Sequence, residues 1–230
     1  MSTYLKVDWK SGQLAEYSKD SKEGFEAYTN GNGDTRYKKL YRNGITASFQ
    51  SVELKNSDYG MQLAVSFKDG EDWLNLQIPV LDQRDQITTY AVEIGRFLPN
   101  LVKGQVYRVF PYFIEKDGDE NKYDKRGISF KVGDMDGEKV VPALSWIADA
   151  PEDVRIPRLD WKEDSLTGRK KPTASSVEAQ RDFFAAIFQR EVARIQGEEA
   201  VSVPATSKDF GPPADSVGEV QPEENEDIPF

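Results

Sequence analysis

Residues 44–53, GITASFQSVE, decide the fold class because apolar and polar side chains alternate along them with a period of two. This period is typical of a β-strand with one buried face. The alternation returns at residues 61–67 and 74–78, after turn-forming residues at 56–60 and 69–70. Three consecutive strands joined by short turns predict a β-meander. Its third strand should carry three side chains on the outward face, Trp73, Asn75 and Gln77.

A different period follows the meander. Apolar residues recur at spacings of three and four over residues 86–98, which predicts a short amphipathic helix that Pro99 ends. Two further strands are predicted at 105–115 and 127–132. Strand-strand-strand-helix-strand-strand is the order of the five-stranded OB-fold barrel, although other α+β domains could share it. We expect this core to span residues 36–133, preceded by an irregular N-terminal arm, 1–35, with a short strand near 25–28.

An extension at residues 134–196 is predicted to end in a helix. Ser175 and Glu178 have the spacing of a capping box, which predicts that the helix begins there and runs to about Ile195. Its apolar stripe is expected to pack on the barrel or on another subunit, and consists of Phe184, Ile187, Phe188 and Ile195. Residues 197–230 hold nine acids and one base, a net charge of −8, which leaves −2 of the total −10 for the rest. Their composition predicts a disordered acidic tail.

The composition excludes several classes of protein. The chain has no cysteine and no histidine, so disulfides, thiol nucleophiles, zinc fingers and histidine-based triads are ruled out. Acidic stretches beginning at Asp117 and Asp134 fail the calcium-loop pattern at its glycine position, which Lys122 and Lys139 occupy. We expect no cofactor. The N-terminus lacks the apolar stretch of a signal peptide, so a cytoplasmic protein without membrane contact is expected.

Basic and aromatic residues alternate in several places. Proteins that bind single strands need this mixture, because cations follow phosphates and flat rings stack on any base. The alternative is that the tyrosines cap the barrel and the lysines keep it soluble. The predicted DNA-binding residues lie in four stretches: Arg36, Tyr37, Lys38, Lys39, Tyr41 and Arg42; Trp73; Arg108 and Tyr112; and Tyr123, Lys125 and Arg126.

The chain ends in Glu223-Glu224-Asn225-Glu226-Asp227-Ile228-Pro229-Phe230. This tip resembles the acidic C-terminus of bacterial single-stranded DNA-binding proteins, in which several acids precede Ile-Pro-Phe. The resemblance implies that Glu226, Asp227, Ile228, Pro229 and Phe230 bind a partner's apolar pocket with a basic rim. The body departs from the bacterial protein in its N-terminal arm, its long final connection and its C-terminal helix. The whole layout resembles the phage-encoded single-stranded DNA-binding proteins.

This resemblance implies a function in DNA replication, recombination and repair, in the host cytoplasm if the protein is phage-encoded. The protein would coat single strands, and its tip would recruit replication and repair proteins. A protein–protein adaptor of OB type that does not bind DNA is the alternative. A metal-dependent nuclease is a third possibility, since forty acids are available, but no pattern pairs two of them with a basic partner. We therefore expect a binding protein rather than an enzyme.

Overall fold

A computed structural model describes residues 2–8, 10–57, 60–116, 124–163 and 168–197. The protein is mostly β, with one large curled sheet that forms a half-barrel and a long C-terminal helix. The strands of the large sheet are β1 (Ser2–Asp8), β2 (Gln13–Ser18), β3 (Glu26–Thr29), β4 (Thr35–Tyr41), β5 (Ile45–Ser57), β6 (Gly60–Asp69), β7 (Asp72–Pro79), β8 (Val106–Ile114) and β9 (Lys125–Val132). The remaining elements are α1 (Thr89–Phe97), a 3-10 turn (Leu98–Asn100), a small hairpin of β10 (Trp161–Glu163) and β11 (Lys170–Pro172), and α2 (Ala174–Gln196).

The nine strands lie in the order β3-β4-β2-β1-β7-β6-β5-β8-β9. Every described pairing in this sheet is antiparallel except that of β1 with β7, which is parallel. The sheet curls until the turn between β1 and β2 meets β8. Gly12 lies in this turn with φ of +64°, and a Cβ at this position would lie only 2.5 Å from the Cβ of Phe113. Glycine is therefore required both by the backbone conformation and by the close approach.

The predicted irregular arm is wrong over most of its length. Residues 1–35 contribute β1, β2 and β3 to the sheet, and Leu5, Leu14 and Ala15 are fully buried. The strands were missed because each is short and carries charged or hydroxyl side chains between its apolar ones. Tertiary pairing rather than local pattern stabilises them. The short strand expected near residues 25–28 is confirmed as β3.

The other predicted elements are present in the expected order, from β5 to β9 with α1 between β7 and β8. A separate five-stranded barrel is not confirmed. The free edge of β7 pairs with β1, and this makes the five predicted strands part of a nine-stranded sheet.

Helix α2 closes the core. Its predicted stripe of Phe184, Ile187, Phe188 and Ile195 is buried, and the helix packs against β5 and α1. One continuous core includes the inner sides of the strands, both helices, and Leu144 and Ile156 of the long connection. None of the described helices is long and apolar enough to cross a membrane.

The predicted capping box at Ser175 is wrong, because α2 begins two residues earlier. Thr173 is the N-cap, and its hydroxyl accepts a hydrogen bond from the backbone N–H of Ser176 at 3.4 Å. The backbone N–H of Thr173 donates to the carbonyl oxygen of Asp160 at 2.7 Å. This bond holds Thr173 in the extended conformation at the end of β11, so the helix starts directly after it.

Candidate nucleic-acid interface

The predicted DNA-binding residues divide between the two faces of the large sheet. We define the core face as the one that carries Leu5, Val65 and Val109, and the outer face as its opposite. Residues paired across neighbouring strands share a face, so the registers assign each position. The outer face carries Arg36, Lys38, Trp73, Arg108, Tyr112 and Lys125, whereas Tyr37, Lys39, Tyr41 and Arg126 belong to the core face. The structure therefore does not bring all of them to one surface.

The cations of β4 and its end are largely engaged with acids. Arg36 contacts the carboxylate of Asp34 at 3.0 Å, and Arg42 contacts Glu26 at 3.6 Å. The ammonium group of Lys39 is exposed and lies 5.3 Å from the centre of the Tyr41 ring. Exposed pairs of this kind are weak, so phosphates can compete for Arg42, and Lys39 is the β4 cation best placed for them.

Lys38 has a different environment. It forms an ion pair with Asp8, whose side chain is only 4% exposed, and its ammonium group lies over the ring of Tyr28. The ring of Tyr28 packs edge-on against Tyr17. Burial, followed by the charge of Asp8, raises the pKa of Tyr17 well above its usual range. Lys38 therefore neutralises a buried carboxylate, and this role competes with a phosphate contact.

The tyrosines of β4 are half-buried at the edge of the core. The hydroxyl of Tyr41 donates to Glu16 at 3.3 Å. Burial, reinforced by the negative charge of Glu16 and by this hydrogen bond, raises the pKa of Tyr41 to about 12. The phenol stays neutral at physiological pH, and its ring is fixed by the contact rather than free to meet a base.

Trp73 lies on the outer face as predicted and is 40% exposed. In the register it stands opposite Lys68 on β6 and Ser2 on β1. Tyr4, two residues along β1 from Ser2, is 56% exposed and occupies the diagonal position. Diagonal neighbours in a sheet lie about 7–8 Å apart, within reach of aromatic rings. Two exposed rings and a lysine thus form a small platform that we call the Tyr4–Trp73 platform.

Sequence reasoning missed Tyr4, because residues 1–35 were interpreted as an irregular arm. The signal that could have found it is the alternation of Thr3, Leu5 and Val7 with Tyr4 and Lys6. The turn between β6 and β7, next to Lys68 and Trp73, is acidic, since Asp69 and Asp72 pair there, with the register of the core face. A bound polyanion would therefore be directed away from that turn.

Arg108 is held by its neighbours on the outer face. Its guanidinium contacts Asp134 at 3.2 Å and donates to the carbonyl oxygen of Asn43. The pKa of Asp134 is lowered, first by a hydrogen bond from the backbone N–H of Met135 and then by those from Thr46 and Arg108. Arg108 therefore ties β8 to the loop after β9 and to the turn between β4 and β5.

Tyr112 and Arg126 lie where β8 ends and β9 begins. The hydroxyl of Tyr112 lies over Gly127, where a Cβ would come within 2.5 Å of it, so the absence of a side chain lets the ring cross β9. Burial, followed by the charge of Glu93, raises the pKa of Tyr112. The guanidinium of Arg126 stacks on Phe113 at 4.5 Å from the ring centre. Lys125 is exposed beside them.

Tyr123 and the tip residues Glu226 to Phe230 lie outside the described residues. Within the described ranges, no group of three acidic side chains is placed to hold a metal ion. No known protein family, curated protein or solved structure matches the chain.

Proposed function

We propose that the protein binds single-stranded DNA and coats it during replication, recombination and repair, and that the acidic C-terminal tip recruits partner proteins. The observation that carries the proposal is the Tyr4–Trp73 platform. Rings that stay this exposed on a sheet give the fold only part of their burial energy, whereas each can stack on a base for about 1–3 kcal/mol. Lys68 beside Trp73 supplies a cation for the phosphate backbone.

We also propose that β5 to β9 with α1 are a divergent OB core. The pairing order β7-β6-β5-β8-β9 supports this, with three meander strands followed by two that return beside the first. In this proposal β1 extends the sheet at the β7 edge. Tyr4 then enlarges the binding face formed by the second and third strands of the OB core.

A protein–protein adaptor is the second candidate, and a specific feature favours it. The outer face of β8 exposes three apolar side chains, Val106, Phe110 and Ile114, with Arg108 and Tyr112 between them. Exposed apolar side chains grouped on one face are typical of surfaces that contact other proteins. If the protein is an adaptor, these apolar side chains and the C-terminal tip would bind partner proteins, and the Tyr4–Trp73 platform would bind no DNA.

Fluorescence anisotropy with labelled oligo-dT tests the proposal, using the full chain with Trp73→Ala and Phe110→Ala as matched variants. The two side chains are 40% and 39% exposed on the same face. Trp73→Ala should weaken binding by about 1–3 kcal/mol, or roughly 5- to 150-fold, while Phe110→Ala should leave it unchanged. If wild-type protein does not bind oligo-dT, the proposal fails. Recovery of the oligonucleotide intact after incubation with Mg²⁺ would separate binding from nuclease activity.

A further inference from the structure

Asn75 lies between the two rings of the Tyr4–Trp73 platform. It stands directly opposite Tyr4 on β1 and two residues along β7 from Trp73, and the three side chains share the outer face. Residues two apart on a strand are about 7 Å apart, and neighbouring strands are about 4.8 Å apart. A base that stacks on either ring therefore has the amide of Asn75 within reach of its edge.

Two serine hydroxyls hold the amide of Asn75. The hydroxyl of Ser66 on β6 donates to Oδ1 of Asn75 at 2.8 Å, and Nδ2 of Asn75 donates to the hydroxyl of Ser2 on β1 at 2.9 Å. An amide has two hydrogens and two lone pairs, so one donor and one acceptor remain unused among the described contacts. Because a serine side chain is shorter than that of asparagine, both hydroxyls approach the amide from the sheet side. The remaining donor and acceptor therefore point outward, side by side, from a residue that is only half-buried.

This arrangement complements the pairing edge of an unpaired base. The Watson–Crick edge of each of the four bases places a donor beside an acceptor, and a primary amide can pair with both. We propose that the Asn75 amide, held by the two serines, hydrogen-bonds the Watson–Crick edge of a base that is stacked on the platform. This inference rests on the proposed function. The contact accepts any base of a single strand but rejects a duplex, in which the Watson–Crick edges are already paired.

A strand whose bases form almost no hydrogen bonds tests the proposal. An oligomer in which difluorotoluene replaces every thymine keeps the shape and the stacking of oligo-dT but lacks its donors and acceptors. Fluorescence anisotropy with the full chain gives the ratio of the two affinities, oligo-dT over the analogue. A good bidentate contact to a base is worth about 5- to 150-fold in affinity, so Asn75→Val should lower this ratio by about fivefold or more. Valine favours strands, so β7 should stay folded.

Gln62→Ala is the matched control, since it removes a half-buried amide from the outer face of β6 at a position that pairs with Pro79 rather than with a ring. It should keep the wild-type ratio. If Asn75→Val weakens binding of both strands by the same factor or leaves both unchanged, or if the control lowers the ratio equally, the inference is overturned while the proposed function stands. If the wild type fails to bind oligo-dT at all, both are overturned.

Discussion

Replacement of Gly95 by alanine tests how tightly α2 packs on α1. Gly95 is buried in α1, and a Cβ there would lie 2.9 Å from two ring carbons of Phe184 and 3.0 Å from one of Phe188. Carbon atoms prefer separations of about 3.5–4.0 Å, so both rings must retreat by roughly half an ångström. Both rings are fully buried, with centroids 5.9 Å apart, and have little room to move.

The change in the free energy of unfolding caused by Gly95→Ala follows from two opposing effects. Alanine in place of glycine favours the helix by about 1 kcal/mol, whereas overpacking a core costs about 1–3 kcal/mol. Because two rings are displaced, we expect the upper part of that range and a net loss of about 1 kcal/mol. For a chain of this size, the thermal midpoint should fall by about 2–4 °C.

Urea denaturation of four proteins measures the effect: the wild type, Gly95→Ala, Phe184→Leu and the double variant. Leucine at position 184 removes the ring that makes two of the three close approaches. The alanine substitution should therefore cost less in the Phe184→Leu background, with a coupling of about 1 kcal/mol. If Gly95→Ala stabilises the otherwise wild-type protein by the full helix-propensity gain, the close packing of the two helices is refuted.

Three further predictions concern charged and titrating groups. Lys38→Ala should lower the free energy of unfolding by about 3 kcal/mol, because it leaves the Asp8 carboxylate buried without its partner. Lys39→Ala is the control and should leave stability unchanged. Equal urea midpoints for the two variants would contradict a stabilising role of the Lys38–Asp8 pair. Tyr41 has a raised pKa of about 12, so its stabilising contribution is complete below pH 10 and is lost as the pH rises from 10 through 12. Tyr41→Phe should abolish the part of the stability loss above pH 10 that Tyr41 causes, as measured by thermal melts at alkaline pH. If the wild type and Tyr41→Phe lose stability in parallel, the raised pKa of Tyr41 does not contribute. Phe230→Ala should retain DNA affinity but lose partner proteins in a pull-down from cell lysate, since the charges remain and only the proposed apolar anchor is removed. Capture of every wild-type partner would show that the tip is not a binding motif.

The central strands could be predicted because their patterns are long. The alternation runs from Gly44 to Gln50 and resumes at Val52, beyond the bulge between Phe49 and Ser51, and the apolar spacing of α1 is regular, so the predicted type of each element agreed with the structure. The N-terminal strands could not be predicted in the same way. β1 obtains its neighbour from residues about seventy positions later, as when Thr3 pairs with Leu74. No local pattern contains that information.

In the candidate site too, some features could be predicted from local sequence and others depend on distant residues. Trp73 was placed correctly because one strand suffices to assign its face. Which cations already have partners depends on contacts between distant residues, such as the pair of Lys38 with Asp8, thirty positions apart. Composition showed that bases and rings were present near β4. It could not show that burial of Asp8 would engage one of those bases in the fold.

The parallel pairing of β1 with β7 has a consequence for synthesis of the chain on the ribosome. Leu5 leaves the ribosome long before Leu76, the residue it pairs with. At 5–20 residues per second, the interval is roughly 4 to 14 seconds. During it, β1 and β2 can form a nascent hairpin whose β1 edge stays open until β7 emerges, so that Leu5 is not yet covered. Open edges recruit other strands, so neighbouring chains on one polysome compete with β7 for this edge. Slower initiation, which spaces the ribosomes, should therefore raise the yield of correctly folded protein.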